Sequence, residues 1–96
     1  MFVVLLRFSA NRDRAGQFMD SHKQWIQRGF EDDIFVLVGS LQRGLGGAVI
    51  AHNTSLAALR ARVDEDPFVA EGIVSAEILE VAPTRLDDRL AFLGGR

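Results

Sequence analysis

Residues 34–52 read "IFVLVGSLQRGLGGAVIAH". Two apolar, β-branched runs, 34–40 and 47–52, flank a glycine-rich turn at 43–47. Each run has strand length, so the stretch predicts a β-hairpin. The flanks decide what the hairpin belongs to. Upstream, "FVVLLRF" (2–8) is a strand, "SANRDRAG" supplies turn and helix-start chemistry, and a helical pattern runs from about Asp13 to Arg28. Gly29 stands where a C-cap glycine would end that helix. Downstream, "NTS" (53–55) is an N-cap cluster before a helix over 56–66, which Pro67 stops at Asp66. "IVSAEILEV" (73–81) is the last strand, closed by Pro83.

The order β-α-β-β-α-β predicts an α+β, ferredoxin-like domain: a four-stranded antiparallel sheet with two helices on one face. It is expected over residues 1–83, with 84–96, "TRLDDRLAFLGGR", as a C-terminal tail that forms a short helix or drapes over a neighbour. Ninety-six residues leave no room for a second core. Hydrophobic residues at 48% and charged residues at 25% are an ordinary globular balance. The net charge is −2 with no Lys/Arg cluster, which argues against nucleic acid as a partner. With no cysteine, disulfides, thiolate nucleophiles and most structural zinc designs drop out. The apolar N-terminus has no basic leader or cleavage site and is too short to span a bilayer, so a cytoplasmic protein without a membrane partner is expected.

The strands are apolar on both faces. Phe2, Val4, Leu6 and Phe8 point one way, and Val3, Leu5 and Arg7 the other; Ile34, Val36 and Val38 are expected to oppose Phe35 and Leu37. Two helices cover one face only, and a sheet face left in water should be polar. A second copy, sheet against sheet, is the economical cover, so a homodimer is expected.

Chemistry concentrates around His22. In the helical pattern Ala15, Phe18, Met19, Trp25 and Ile26 share one stripe, and His22 falls near its middle. Leu56, Leu59 and Val63 form the stripe of the second helix, and Asp66, at i+3 from Val63, continues it at one margin. Both helices lean on the same sheet face, so His22 and Asp66 can meet in a partly buried niche. An imidazole oriented by a carboxylate is a common way to hold a general base in one tautomer. The ordinary reading of such a histidine is a satisfied core residue, and that of "DP" is helix-stop chemistry. Ser40 can donate to a ligand oxygen or simply close its strand, and Phe68 can pack in the core or wall a pocket. Trp25 reads as core, and Arg7 as half of an ion pair or an anion ligand. His22 and His52 have no metal-ligand spacing, so no metal is expected.

The runs "RAGQFMDSHKQWIQRG" (14–29), "FVLVGSLQRGLGGAVIA" (35–51) and "LRARVDEDPFVAEGIVSAEILEV" (59–81) resemble the YCII-related family of small proteins. The resemblance rests on the first-helix histidine, the glycine closing the second strand, the glycine-rich turn, and "DPF" followed by a glycine. It implies a ferredoxin-like domain, dimeric in the manner of dimeric α/β barrels, with His22 and Asp66 paired in an active-site pocket. The family is similar in architecture to muconolactone isomerase, and some relatives act on ring-cleavage or chlorinated aromatic metabolites. Ser40 departs from the proline that many relatives carry after the glycine.

The expectation is a cofactor-independent enzyme, isomerase or lyase in type, acting on a small carbonyl-, enol- or ring-cleavage metabolite. His22 moves a proton, Asp66 orients it, and Ser40, Gly39 and Phe68 border the substrate. The alternative is a non-catalytic binding or accessory module with a structural His–Asp pair. A cofactor-free monooxygenase rests on fold analogy alone.

Overall fold

The computed structural model describes residues 1–94. Strand β1 (Phe2–Phe8) is followed by a 3₁₀ turn at Arg12–Arg14 and helix α1 (Ala15–Glu31). Strands β2 (Phe35–Leu41) and β3 (Gly46–Ala51) form the hairpin, then come helices α2 (Leu56–Asp64) and α3 (Pro67–Ala70) and strand β4 (Val74–Glu80). The sheet is antiparallel throughout, in the order β2-β3-β1-β4. Both main helices lie on one face, so the α+β, ferredoxin-like class expected from the sequence is the fold observed.

The core forms where the β1 residues Phe2, Val4 and Leu6 meet Trp25 of α1, Leu59 and Val63 of α2 and Phe68 of α3. Directly opposed residues on neighbouring strands share a face. Val4 is therefore flanked on the helix side by Val49 and Ile78, while Leu6 is flanked by the smaller Gly47 and Ala76. The sheet thus thins out toward the β1 C-terminus, which leaves space under α1. The opposite face carries Val3, Leu5, Ile50, Leu37 and Leu79, of which Leu37 and Leu79 are 50% and 42% exposed.

Three local readings need correction. Gly29 does not cap α1, which continues to Glu31; it is buried, and a side chain there would enter the ring of Phe35. The glycine is a close-approach site where α1 presses on β2. The facing of β2 also differs, because its pairing to β3 shifts between Phe35 and Leu37. The bulge at Val36 adds a residue, so Phe35 and Val38 share the helix side instead of opposing one another. Finally, α2 ends at Asp64, two residues before Asp66.

Gly46 has φ 138°, and a Cβ there would strike the Leu6 backbone oxygen, so only glycine admits β3 so close to β1. Beyond β4, residues Asp88–Gly94 form a 3₁₀ segment kinked at Leu90, with Leu93 buried. The expected tail runs to 96; its last two residues lie outside those described. Among the described residues no helix is long and apolar enough to cross a membrane.

Candidate active site

Trp25 fixes the placement of α1. Its side chain is 1% exposed, and its indole N–H donates to the Arg62 carbonyl oxygen at 2.9 Å, tying α1 to the end of α2. A buried indole is stable only where its N–H finds such a partner. Arg62 in turn pairs with Asp32 just after α1, at 2.8 Å. These links hold the middle of α1 beside the α2–α3 junction, where Asp66 sits.

Asp66 is the N-cap of α3 rather than the margin of the α2 stripe. Pro67 imposes extended backbone on the residue before it, and Asp66 has φ −61° and ψ 123°. Proline suits the first helical position, where no N–H is needed. The Phe68 N–H then donates to Asp66 Oδ1 at 3.0 Å. His22 Nδ1 lies 2.7 Å from the same oxygen. An ionised carboxylate offers acceptors only, so against it Nδ1 is the donor, and in that tautomer of the neutral imidazole the lone pair lies at Nε2. Asp66 is fully buried, and its Oδ2 has no hydrogen-bond partner among the described residues. Phe68 completes the mount: its ring stacks on the imidazole with centroids 3.9 Å apart and planes 2° from parallel.

Beside the imidazole is a cavity of about 340 Å³, bounded by α1, the β2–β3 hairpin and Phe68. Pockets for small ligands begin at roughly this volume. Its walls are mainly apolar, with His22, Lys23 and Ser40 as the polar side chains. Ser40 pairs with Gly47, whose missing side chain leaves room in front of it, and the Ser40 hydroxyl has no hydrogen-bond partner among the described residues. Gly39 contributes backbone to the wall, and a Cβ there would meet nothing within 4 Å.

The structure therefore brings His22, Asp66, Phe68, Ser40 and Gly39 to one place, Asp66 behind the imidazole and the others at the cavity. Trp25 belongs to the core, as its stripe position predicts, and also forms part of the cavity wall. Arg7 is elsewhere, in an exposed pair with Glu77 at 2.8 Å. His52 follows the end of β3, with Nε2 3.6 Å from Asp33 Oδ1 and the Phe92 ring edge-on at 5.5 Å. Neither borders the cavity. The sequence reading missed Lys23, which does. The available signal was its position four residues after Met19, on the same side of the helix.

The sequence matches no protein-family model and no curated protein. Among solved structures the chain is similar to 5-chloro-2-hydroxyhydroquinone dehydrochlorinase from Burkholderia phenoliruptrix AC1100, in complex with 2,5-dihydroxybenzoquinone. The TM-score is 0.68, over 84% of this chain and 93% of that one, at 13% sequence identity. The likeness is one of fold.

Proposed function

We propose that the protein is a cofactor-independent acid–base enzyme, isomerase or lyase in type, acting on a small carbonyl-, enol- or ring-cleavage metabolite. The observation that carries this reading is His22 Nδ1 held 2.7 Å from a fully buried carboxylate beside a ligand-sized cavity. In the proposed step, Nε2 takes a proton from a carbon next to a carbonyl. The C–H electron pair moves into the ring or chain and onto the carbonyl oxygen, giving an enolate. Asp66 stabilises the imidazolium so formed, as the carboxylate does in a catalytic triad. Return of the proton to a different carbon completes an isomerisation; departure of a leaving group from the neighbouring carbon completes an elimination. Ser40 and the Gly39 backbone border the substrate, and Phe68 walls it.

The similar solved structure supports this reading in kind, since its name is that of an enzyme acting on a hydroxyhydroquinone. The same reading places the chain with YCII-related proteins of the dimeric α/β-barrel type, and the shared fold favours that placement. It includes a homodimer: Leu37, Leu79, Val3, Leu5 and Ile50 form an apolar face opposite α1 and α2, which a second copy would cover. The alternative, a binding module with a structural His–Asp pair, draws on the Phe68 ring that closes one face of the imidazole. The cavity at its edge favours catalysis.

Two measurements test the enzymatic reading. Nitrogen NMR of the imidazole should show the Nδ1–H tautomer; an Nε2–H form would remove the base. A panel of activated carbonyl compounds in D₂O should include some whose α-protons exchange faster with the protein. His22→Asn should lower that exchange by about 10²–10⁴, the usual contribution of a positioned base. Equal exchange by wild type and His22→Asn would refute the role of His22.

A further inference from the structure

We infer that Lys23 is the substrate-binding residue that selects small planar anions, and that it meets the negative charge which grows on the substrate oxygen during proton transfer. This rests on the functional reading above and names the substrate class for the same cavity.

The cavity wall contains no aspartate or glutamate and one lysine, in a chain whose acids outnumber its bases, 13 to 11. Asp66 is not on that wall. It lies behind the imidazole, fully buried, with Oδ1 engaged by two nitrogens. Four arginines find acids, Arg7 with Glu77, Arg14 with Glu71, Arg62 with Asp32 and Arg89 with Asp87, while Arg12, Arg28, Arg43, Arg60 and Arg85 share the unpaired state of Lys23 among the described residues. Lys23 has no carboxylate within 4.0 Å among the described residues. A second cation lies at the margin, where the Arg12 guanidinium stands 4.4 Å over the ring of Phe8, another residue of the wall. Besides His22, the ionisable side chain on the cavity wall is therefore a cation, set in mainly apolar surroundings.

His22 and Lys23 both border the cavity, so base and cation reach one bound molecule there. The carbon skeleton of a ring-sized ligand fits against Phe68, Met19 and Val38, all on the wall. A carboxylate or enolate oxygen then meets the ammonium group. An ammonium already in place where charge develops stabilises the enolate without reorganisation. Neutral molecules of the same shape gain the apolar contact and lose this one.

The probes are benzoate and benzamide, matched in shape and different in charge, followed through the His22 imidazole NMR signals at neutral pH. Wild type should bind benzoate about tenfold more tightly than benzamide, the scale of a hydrogen bond to a charged group. Lys23→Met, which keeps an apolar stem, should lose that preference, Lys23→Arg should retain most of it, and added salt should weaken benzoate in wild type more than in Lys23→Met. Equal preference in wild type and Lys23→Met, with His22 signals shifting in both, would overturn the role of Lys23 and leave the cavity as the site. His22 signals unmoved by both probes would overturn the functional reading and this inference with it.

Discussion

Replacing Asp66 by alanine removes two contacts at once. His22 Nδ1, at 2.7 Å, and the Phe68 N–H, at 3.0 Å, both lose their acceptor. The site is fully buried, so water does not replace the carboxylate without rearrangement. A buried donor left without a partner costs about 1–3 kcal/mol, so two such donors put Asp66→Ala about 2–6 kcal/mol below wild type. Asp66→Asn keeps the volume and one carbonyl oxygen, and loses mainly the charge assistance, about 1–2 kcal/mol. For a domain of this size, each kcal/mol lowers Tm by about 4–8 °C. Asp66→Ala should therefore melt at least about 8 °C below wild type, with Asp66→Asn between them. The assay is urea unfolding followed by the fluorescence of Trp25, the single tryptophan, which is 1% exposed in the native state. A His22→Ala, Asp66→Ala double-mutant cycle isolates the coupling between the two side chains. Asp66→Ala within about 0.5 kcal/mol of wild type, the range of ordinary surface changes, would refute the geometry from which the site is built.

Gly29 and Gly16 make a matched pair on α1. Alanine is the better helix former by about 1 kcal/mol, and at Gly16 a Cβ meets nothing within 4 Å, so Gly16→Ala should raise the unfolding free energy. At Gly29 the same methyl enters the buried Phe35 ring, and overpacking of about 1–3 kcal/mol should make Gly29→Ala destabilising; equal signs for the two variants would count against this packing. Leu37→Lys places a charge on the open sheet face and should convert a dimer to a monomer by light scattering without loss of secondary structure. An unchanged mass, or a monomeric wild type, would dispose of the sheet-to-sheet pairing.

The architecture was legible because β1 is an apolar, β-branched run of strand length and because a hairpin sits between two helical patterns. Phe2, Val4 and Leu6 are buried as the period-two reading requires. The bulge at Val36 left no such trace: every residue from Ile34 to Val38 is apolar, so shifting the register by one changes which side chains face the core without changing the pattern. Gly29 was misread for a related reason. A glycine near the end of a helical pattern looks the same whether it caps the helix or makes room for a neighbour, and Phe35 lies beyond what local sequence reports. Helix periodicity and topology permitted the meeting of His22 and Asp66, and the family resemblance implied it, but the way Asp66 is held was not legible. Its extended backbone belongs to a four-residue helix, α3, too short to show a period of its own. Lys23 is an exposed helix residue, and the cavity reaches its flank of α1 because the sheet thins around Gly46 and Gly47, which no local pattern reports.

One oxygen, Oδ1 of Asp66, starts α3 and steadies the imidazole. Loss of the acid would harm folding before it touched any chemistry, so natural selection has a reason to keep it even in a copy that has ceased to turn anything over. Only the imidazole is dispensable to the backbone. Among proteins built on this plan, the histidine is therefore the more informative letter: a lineage that has retired the site is expected to keep "DP" and let position 22 drift.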